Sequence, residues 1–144
     1  MKPIVLSVNV SEKKGVAKQE VREITLIKDL GIKGDAHAAP GDRQISMLAK
    51  ESHDRFQPMT NVCLKNGIFG ENITTQGIDL LALNIGDKLE IDGCLLEVSK
   101  KGKECHAPCS IAKKVGKCIM PKECIFLRVL KGGKIKKGAK IKVI

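Results

Sequence analysis

The sequence predicts a mainly β protein, a closed or nearly closed β-barrel carrying a few short helices. Three observations predict it: short runs with strand periodicity recur along the chain, glycine-containing turns separate them, and helical patterning is confined to two brief stretches.

Taken in order, Ile4-Val5-Leu6-Ser7-Val8-Asn9-Val10 is rich in β-branched residues and reads as a strand. Residues 23–28 and 44–48 are shorter strand candidates. Residues 49–56 carry the first helical signal. Asp87-Lys88-Leu89-Glu90-Ile91 alternates polar and apolar, as a half-buried strand must. Asp92-Gly93 follows, then Cys94-Leu95-Leu96-Glu97-Val98, which makes a hairpin with an Asp-Gly turn. Residues 110–115 give the second helical signal. A strand over 124–130 ends at Gly132-Gly133, and the tail Lys140-Ile141-Lys142-Val143-Ile144 alternates again.

The chain has 144 residues, enough to bury a core without disulfides or a structural metal. No Pro/Ser linker or low-complexity run divides it, so residues 1–144 are expected to form a single domain. Aromatic residues are only 2%, with no Trp and no Tyr, so the core must be aliphatic. No apolar stretch approaches the ~20 residues that span a membrane, and no small-residue cleavage site follows the N-terminal apolar run. The expectation is a cytoplasmic protein whose six cysteines serve as thiols, metal ligands or catalytic groups rather than as a disulfide framework.

Charge is unevenly placed. Residues 1–95 carry 12 Lys+Arg against 13 Asp+Glu, whereas residues 96–144 carry 14 against 3. The net charge of +10 therefore comes from the last third, which also holds Cys105, Cys109, Cys118 and Cys124. A basic field favours thiolate and attracts anions. Nucleic acid is a poor fit as the anion, because three Phe with no Tyr or Trp make a meagre stacking platform.

Three clusters carry candidate chemistry. In Gly102-Lys103-Glu104-Cys105-His106-Ala107-Pro108-Cys109, Cys105 stands among Lys100, Lys101, Lys103 and His106, a setting for a low-pKa nucleophile or soft-metal ligand. Cys109 is its rival. Their Cys-x3-Cys spacing and the irregular positions of Cys118 and Cys124 do not match a zinc site, and none is expected. Cys63 and Cys94, inside apolar runs, read as small buried hydrophobes. Gly34-Asp35-Ala36-His37 with Arg43-Gln44-Ile45-Ser46 offers an acid, an imidazole and a guanidinium suited to anions; the competing reading is a turn with a surface salt bridge. Phe69-Gly70-Glu71-Asn72-Ile73-Thr74-Thr75 offers polar side chains for a ligand, or a strand with a polar edge.

In this order the clusters resemble the MOSC domain, named for the C-terminal part of molybdenum-cofactor sulfurase. The matching pieces are GDAHAAPGDRQIS (34–46), FGENITTQGIDL (69–80), IGDKLEI (85–91), GKECHAPCSIAKKVGKCIMPKE (102–123) and FLRVLKGGKIKKG (126–138). The resemblance implies a barrel-like β fold and handling of the molybdenum cofactor (molybdopterin) or of sulfur destined for it. It implies a catalytic cysteine at Cys105, which would also be the molybdenum ligand, with Cys109 open as the alternative. Arg43, Glu71 and Asn72 match the family's pocket-lining positions, His37 matches the Gly-Asp-x-His of its small stand-alone subgroup, and Lys103 and His106 flank the thiol; all are candidates to hold the cofactor. The chain departs at Ala39, where Gly is usual, at Asp42, where His is usual, and at Cys124, where Gly is usual. Asp42 puts a negative charge beside Arg43, where a phosphate would otherwise sit.

The resemblance implies a persulfide-type sulfur carrier acting with a cysteine desulfurase or a molybdoenzyme maturation protein. Two alternatives stay open: a molybdenum-dependent reductase of N-hydroxylated compounds, and a non-catalytic adaptor in cofactor biosynthesis. The first two would make the chain a sulfur transferase or an oxidoreductase; the adaptor would make it neither.

Overall fold

A computed structural model describes residues 2–103, 110–116 and 118–144. Its strands are β1 (Ile4–Val10), β2 (Gln19–Val21), β3 (Glu23–Ile27), β4 (Gly31–Ile32), β5 (Ile45–Ala49), β6 (Ile73–Gln76), β7 (Lys88–Ile91), β8 (Cys94–Lys101), β9 (Ile125–Lys131), β10 (Gly133–Lys136) and β11 (Ile141–Val143). Its helices are short: α1 (Lys50–Phe56), α2 (Ser110–Val115) and α3 (Met120–Glu123). The fold is mainly β, as the strand periodicity requires.

Eight strands form one curled sheet in the order β11-β7-β8-β9-β5-β6-β1-β2. The β7–β8 hairpin shows how the sequence shapes it. Asp92 and Gly93 both adopt positive φ (50° and 80°), the geometry of a type I′ turn, and Ile91 pairs with Cys94 across it. The alternation then puts Leu89, Ile91, Leu96 and Val98 inward, all fully buried. Burying each contributes roughly 1.5–3 kcal/mol. Strand β5 differs: all five of its residues are buried, and it lies between β9 and β6. Its pairing with β6 is parallel, through Met47 and Ile73, while every other ladder in the sheet is antiparallel.

The curl brings the two ends of the chain together. Ile4 bridges Lys140; Val5 N–H donates to the Ala139 carbonyl (2.8 Å), and Gly138 N–H donates to the Val5 carbonyl (2.7 Å). These bonds lace β1 to the approach of β11, so the curled half-barrel comes near to closure. A three-stranded sheet, β10-β3-β4, packs beside it.

The main core fills the curl with Val, Ile and Leu, as a chain with almost no aromatics must. A second cluster, around Leu48, Phe56, Phe69, Ile111, Met120 and Phe126, packs α1, α2 and α3 against β5 and β9. Cys94 is buried and its thiol is pushed up by burial, with Asp92 adding to the effect. Cys63, expected inside, is exposed instead. Among the described residues no helix is long and apolar enough to cross a membrane.

Candidate functional site

The second core cluster is open on one side. There, five connections meet: the β1–β2 loop, the β4–β5 loop, the turn before β6, the exit of β8, and the α2–α3 region. They enclose a cavity of ≈ 470 Å³, within the size range of small-molecule sites. Phe69, Ile111, Met120 and Phe126 form an apolar wall, with Val16. Lys14, Arg43 and Lys103 bring three cations, and Asp42 one carboxylate. None of the three cations makes an ion pair among the described residues. Arg43 rests instead on an aromatic face, its guanidinium carbon 5.7 Å from the Phe126 ring centre.

The β4–β5 loop is held at both ends. Gly31 has φ +126°, and a Cβ there would lie 2.6 Å from the Gln44 carbonyl oxygen, so only glycine allows this approach. Within the loop, Asp35 is buried rather than part of a surface salt bridge. Its Oδ1 accepts from Ser11 N–H (3.0 Å) and Lys18 Nζ (2.7 Å), and its Oδ2 accepts from His37 N–H (3.1 Å). Lys18 has no side-chain exposure. Burial disfavours the Asp35 charge, but Lys18, Ser11 N–H and Asn72 outweigh it and hold the carboxyl below its ordinary value. Burial lowers Lys18, against the pull of Asp35. His37 lines the cavity with its Nδ1 3.0 Å from Lys18 Nζ. Burial, then the Lys18 charge, holds His37 down at about 4.

Asn72 is fully buried at the cavity wall. Its Oδ1 accepts from Ser46 N–H (3.0 Å) and Ser46 O–H (3.2 Å), tying the β6 turn to β5. Glu71, expected in the pocket, is buried behind the wall and does not line the cavity. Its Oε2 accepts from His53 Nε2 (2.7 Å) and from Thr74 O–H (3.0 Å), and its Oε1 accepts from Phe69 N–H (3.2 Å). His53 in turn meets the Phe69 ring edge-to-face at 5.2 Å.

The cavity thus gathers His37, Arg43, Asn72 and Lys103 of the residues singled out in the sequence, and leaves Glu71 as a brace. Cys105, His106 and Cys109 lie outside the described residues. Four participants escaped the sequence reading. Lys18 is one lysine among many, Lys14 stands in an undistinguished loop, and His53 lies on a helix with no motif around it. Cys118, considered only as a zinc ligand, lines the same cavity.

A family profile described as MOSC domain matches residues 33–142 of this chain. An uncharacterized protein of Bacillus subtilis (strain 168), YflK, is 24% identical over 143 residues, covering 90% of this chain and 63% of YflK. The chain thus spans less than two thirds of that relative's length. Among solved structures, the YUAD protein from Bacillus subtilis superposes with a TM-score of 0.80 at 18% identity, covering 99% of this chain and 96% of that one. YiiM from Geobacillus stearothermophilus gives 0.78 at 22% identity, covering 99% and 75%. YiiM from Escherichia coli gives 0.73 at 21%, covering 100% and 70%. These structural likenesses establish the fold.

Proposed function

The chain belongs to the MOSC domain family, and from that premise we propose that its cavity binds a molybdopterin-type molybdenum cofactor, or sulfur in transit to it, with Cys105 as the working thiol. The observation that carries the reading is the convergence of Lys14, Arg43 and Lys103 on a cavity with an apolar wall. Cations that make no ion pair among the described residues suit the phosphate of such a cofactor. The side chains of Phe69, Ile111, Met120 and Phe126 offer apolar contact to a fused ring. Asp42 sits on the same rim and offsets one of the three charges, so the phosphate is expected nearer Lys14 and Lys103 than the Asp42 carboxylate.

Lys103 precedes Cys105 by two residues in the sequence, and Lys100 and Lys101 stand just upstream. A thiol in such cationic company favours the thiolate, and a thiolate is a suitable soft ligand for molybdenum or carrier of sulfane sulfur. When bound, the cofactor supplies the redox-active metal; the chain supplies anion binding, an apolar wall and the thiol. As a sulfur carrier, the protein would receive its sulfur from a donor such as a cysteine desulfurase.

The test is to purify the chain from a molybdopterin-producing host, record its absorption and metal content, and map Cys105 and Cys109 by mass spectrometry. Pterin with molybdenum, or a persulfide on one of these two cysteines, is the expected result. A chain with intact Cys105 that retains neither pterin, molybdenum nor sulfane sulfur would overturn the reading. Undiminished function in Cys105→Ser would favour an adaptor instead.

A further inference from the structure

We propose that Lys18 is a positioning residue that holds His37 as the neutral, Nε2-protonated tautomer, so that His37 gives the cavity a hydrogen-bond donor for an oxygen acceptor on the ligand rather than a fourth cation. The part concerning ligand rests on the proposed role of the cavity; the part concerning the tautomer does not.

The protons available around Lys18 fix the tautomer. Lys18 Nζ has three neighbours: Asp35 Oδ1 at 2.7 Å, Ser11 Oγ at 3.0 Å and His37 Nδ1 at 3.0 Å. Ser11 commits its own hydroxyl proton to the Lys13 carbonyl (2.9 Å), so toward Lys18 it can only accept. Asp35 is a carboxylate that also accepts from two backbone N–H groups, so it too can only accept. An ammonium has three donors and no lone pair. Its third N–H therefore goes to His37 Nδ1, which must carry a lone pair. A neutral imidazole with an accepting Nδ1 has its proton on Nε2. Nδ1 being spent, Nε2 is the nitrogen His37 can offer the cavity.

The opposite arrangement has Nδ1–H donating to a neutral Lys18 amine. It leaves the buried Asp35 carboxylate without a counter-charge, which is strongly unfavourable. An imidazolium is opposed as well. Lys18, Lys103 and Lys14 act on His37 as cations, against Asp35 alone. The cavity thus separates two tasks: lysines and Arg43 supply charge, and His37 supplies direction. The ligand chemistry this fits is an oxygen acceptor, on a phosphate or a ring carbonyl, held beside the cations.

The experiment uses the full ¹⁵N-labelled chain. Long-range ¹H–¹⁵N correlation at neutral pH, assigned with His37→Gln, should show His37 Nε2 protonated and Nδ1 not. A protonated Nδ1, alone or with Nε2, would overturn the proposal. In Lys18→Met, His37 should protonate well above pH 4, toward its ordinary value of 6.5; no change would remove Lys18 from the role. If that variant fails to fold, the wild-type tautomer still decides. The ligand arm measures inorganic phosphate affinity. His37→Phe should bind about ten-fold more weakly, one hydrogen bond's worth. His37→Gln, which keeps an N–H donor, should lose less than about three-fold. Equal loss in the two would overturn the donor role. A wild-type chain that binds neither phosphate nor pterin would sink the ligand reading and the donor role together, while the tautomer spectrum would still stand or fall by itself.

Discussion

Removing the Glu71 carboxylate should cripple the fold before it touches any ligand. Glu71 is fully buried and accepts three hydrogen bonds, from His53, Phe69 N–H and Thr74. In Glu71→Ala the fully buried His53 loses its partner at Nε2, and its Nδ1 has none among the described residues. The Phe69 amide is orphaned too. Each buried group left unsatisfied costs about 1–3 kcal/mol. Two such groups give a loss of about 2–6 kcal/mol, a large share of the ~5–15 kcal/mol that domains possess. In Glu71→Gln the amide oxygen can still accept from Phe69 N–H, and the amide NH₂ can donate to His53 in its other tautomer. That variant should lose only about 1–2 kcal/mol. Urea unfolding followed by far-ultraviolet circular dichroism reads both, with a midpoint shift of roughly 1–3 M for Glu71→Ala at an m-value of about 2 kcal/mol/M. Glu71→Gln should also keep its phosphate affinity within about three-fold, since Glu71 lies behind the cavity wall. A Glu71→Ala chain within 1 kcal/mol of wild type would refute the reasoning, and a Glu71→Gln chain of full stability that binds no phosphate would show that Glu71 contacts ligand after all.

Two further outcomes are expected. His37 is held at about 4 in the folded chain against 6.5 when free, so between those values the unfolded chain takes up a proton that the folded one refuses. Stability on its account is full above pH 6.5 and is lost as pH falls to 4, by about 2–3 kcal/mol after allowance for partial exposure. The depressed Asp35 carboxyl extends the loss to lower pH, again because the unfolded chain protonates first. Urea midpoints from pH 7.5 to 4 should therefore fall more steeply for wild type than for His37→Gln; parallel curves would contradict it. Separately, Gly31→Ala should cost more than about 2 kcal/mol, from positive φ plus a 2.6 Å approach to the Gln44 carbonyl. Thermal melts would check it, and an unchanged midpoint would mean that the two ends of the site loop can move apart.

Much of this architecture can be read directly from residue order, and the exceptions have causes. The β7–β8 hairpin announces itself because alternation, an Asp-Gly turn and a single buried face all agree. Strand β5 is legible as a short apolar run, buried at all five positions, and β11 from the alternation of residues 140–144, although only Ile141 of its three residues is buried and Val143 is exposed. Strands β2 and β4 have three and two residues and are set by their partners, which leaves them no periodicity of their own. Of the two readings open for residues 69–75, the strand holds over β6, but its threonines do not form a polar edge: Thr74 and Thr75 are fully buried, their place in the sheet secured by pairing with β5. Strand β10 starts with glycine and is exposed at three of four positions.

The site divides along similar lines. Arg43, His37, Asn72 and Lys103 stand in recognisable motifs and do meet at the cavity. Lys18 and His53 contribute through partners 17 and 18 residues away, Asp35 and Glu71, and nothing local marks either pairing. Glu71 shows the converse: its motif is plain, but its burial depends on how β6 packs over α1, which no window of sequence displays.

The lacing of β1 to the approach of β11 has a kinetic consequence. It joins residues 3–5 to residues 138–141, contacts about as distant along the chain as this sequence permits. Closing a loop of that length costs about 4 kcal/mol of chain entropy, and the hydrogen bonds that repay it form only after both strands are in place. The seam should accordingly be the last part of the sheet to zip, and the first to open. Native-state hydrogen exchange at Val5 and Gly138 would then report a fluctuation in which the barrel parts along its edge while the β5–β9–β8 centre stays intact.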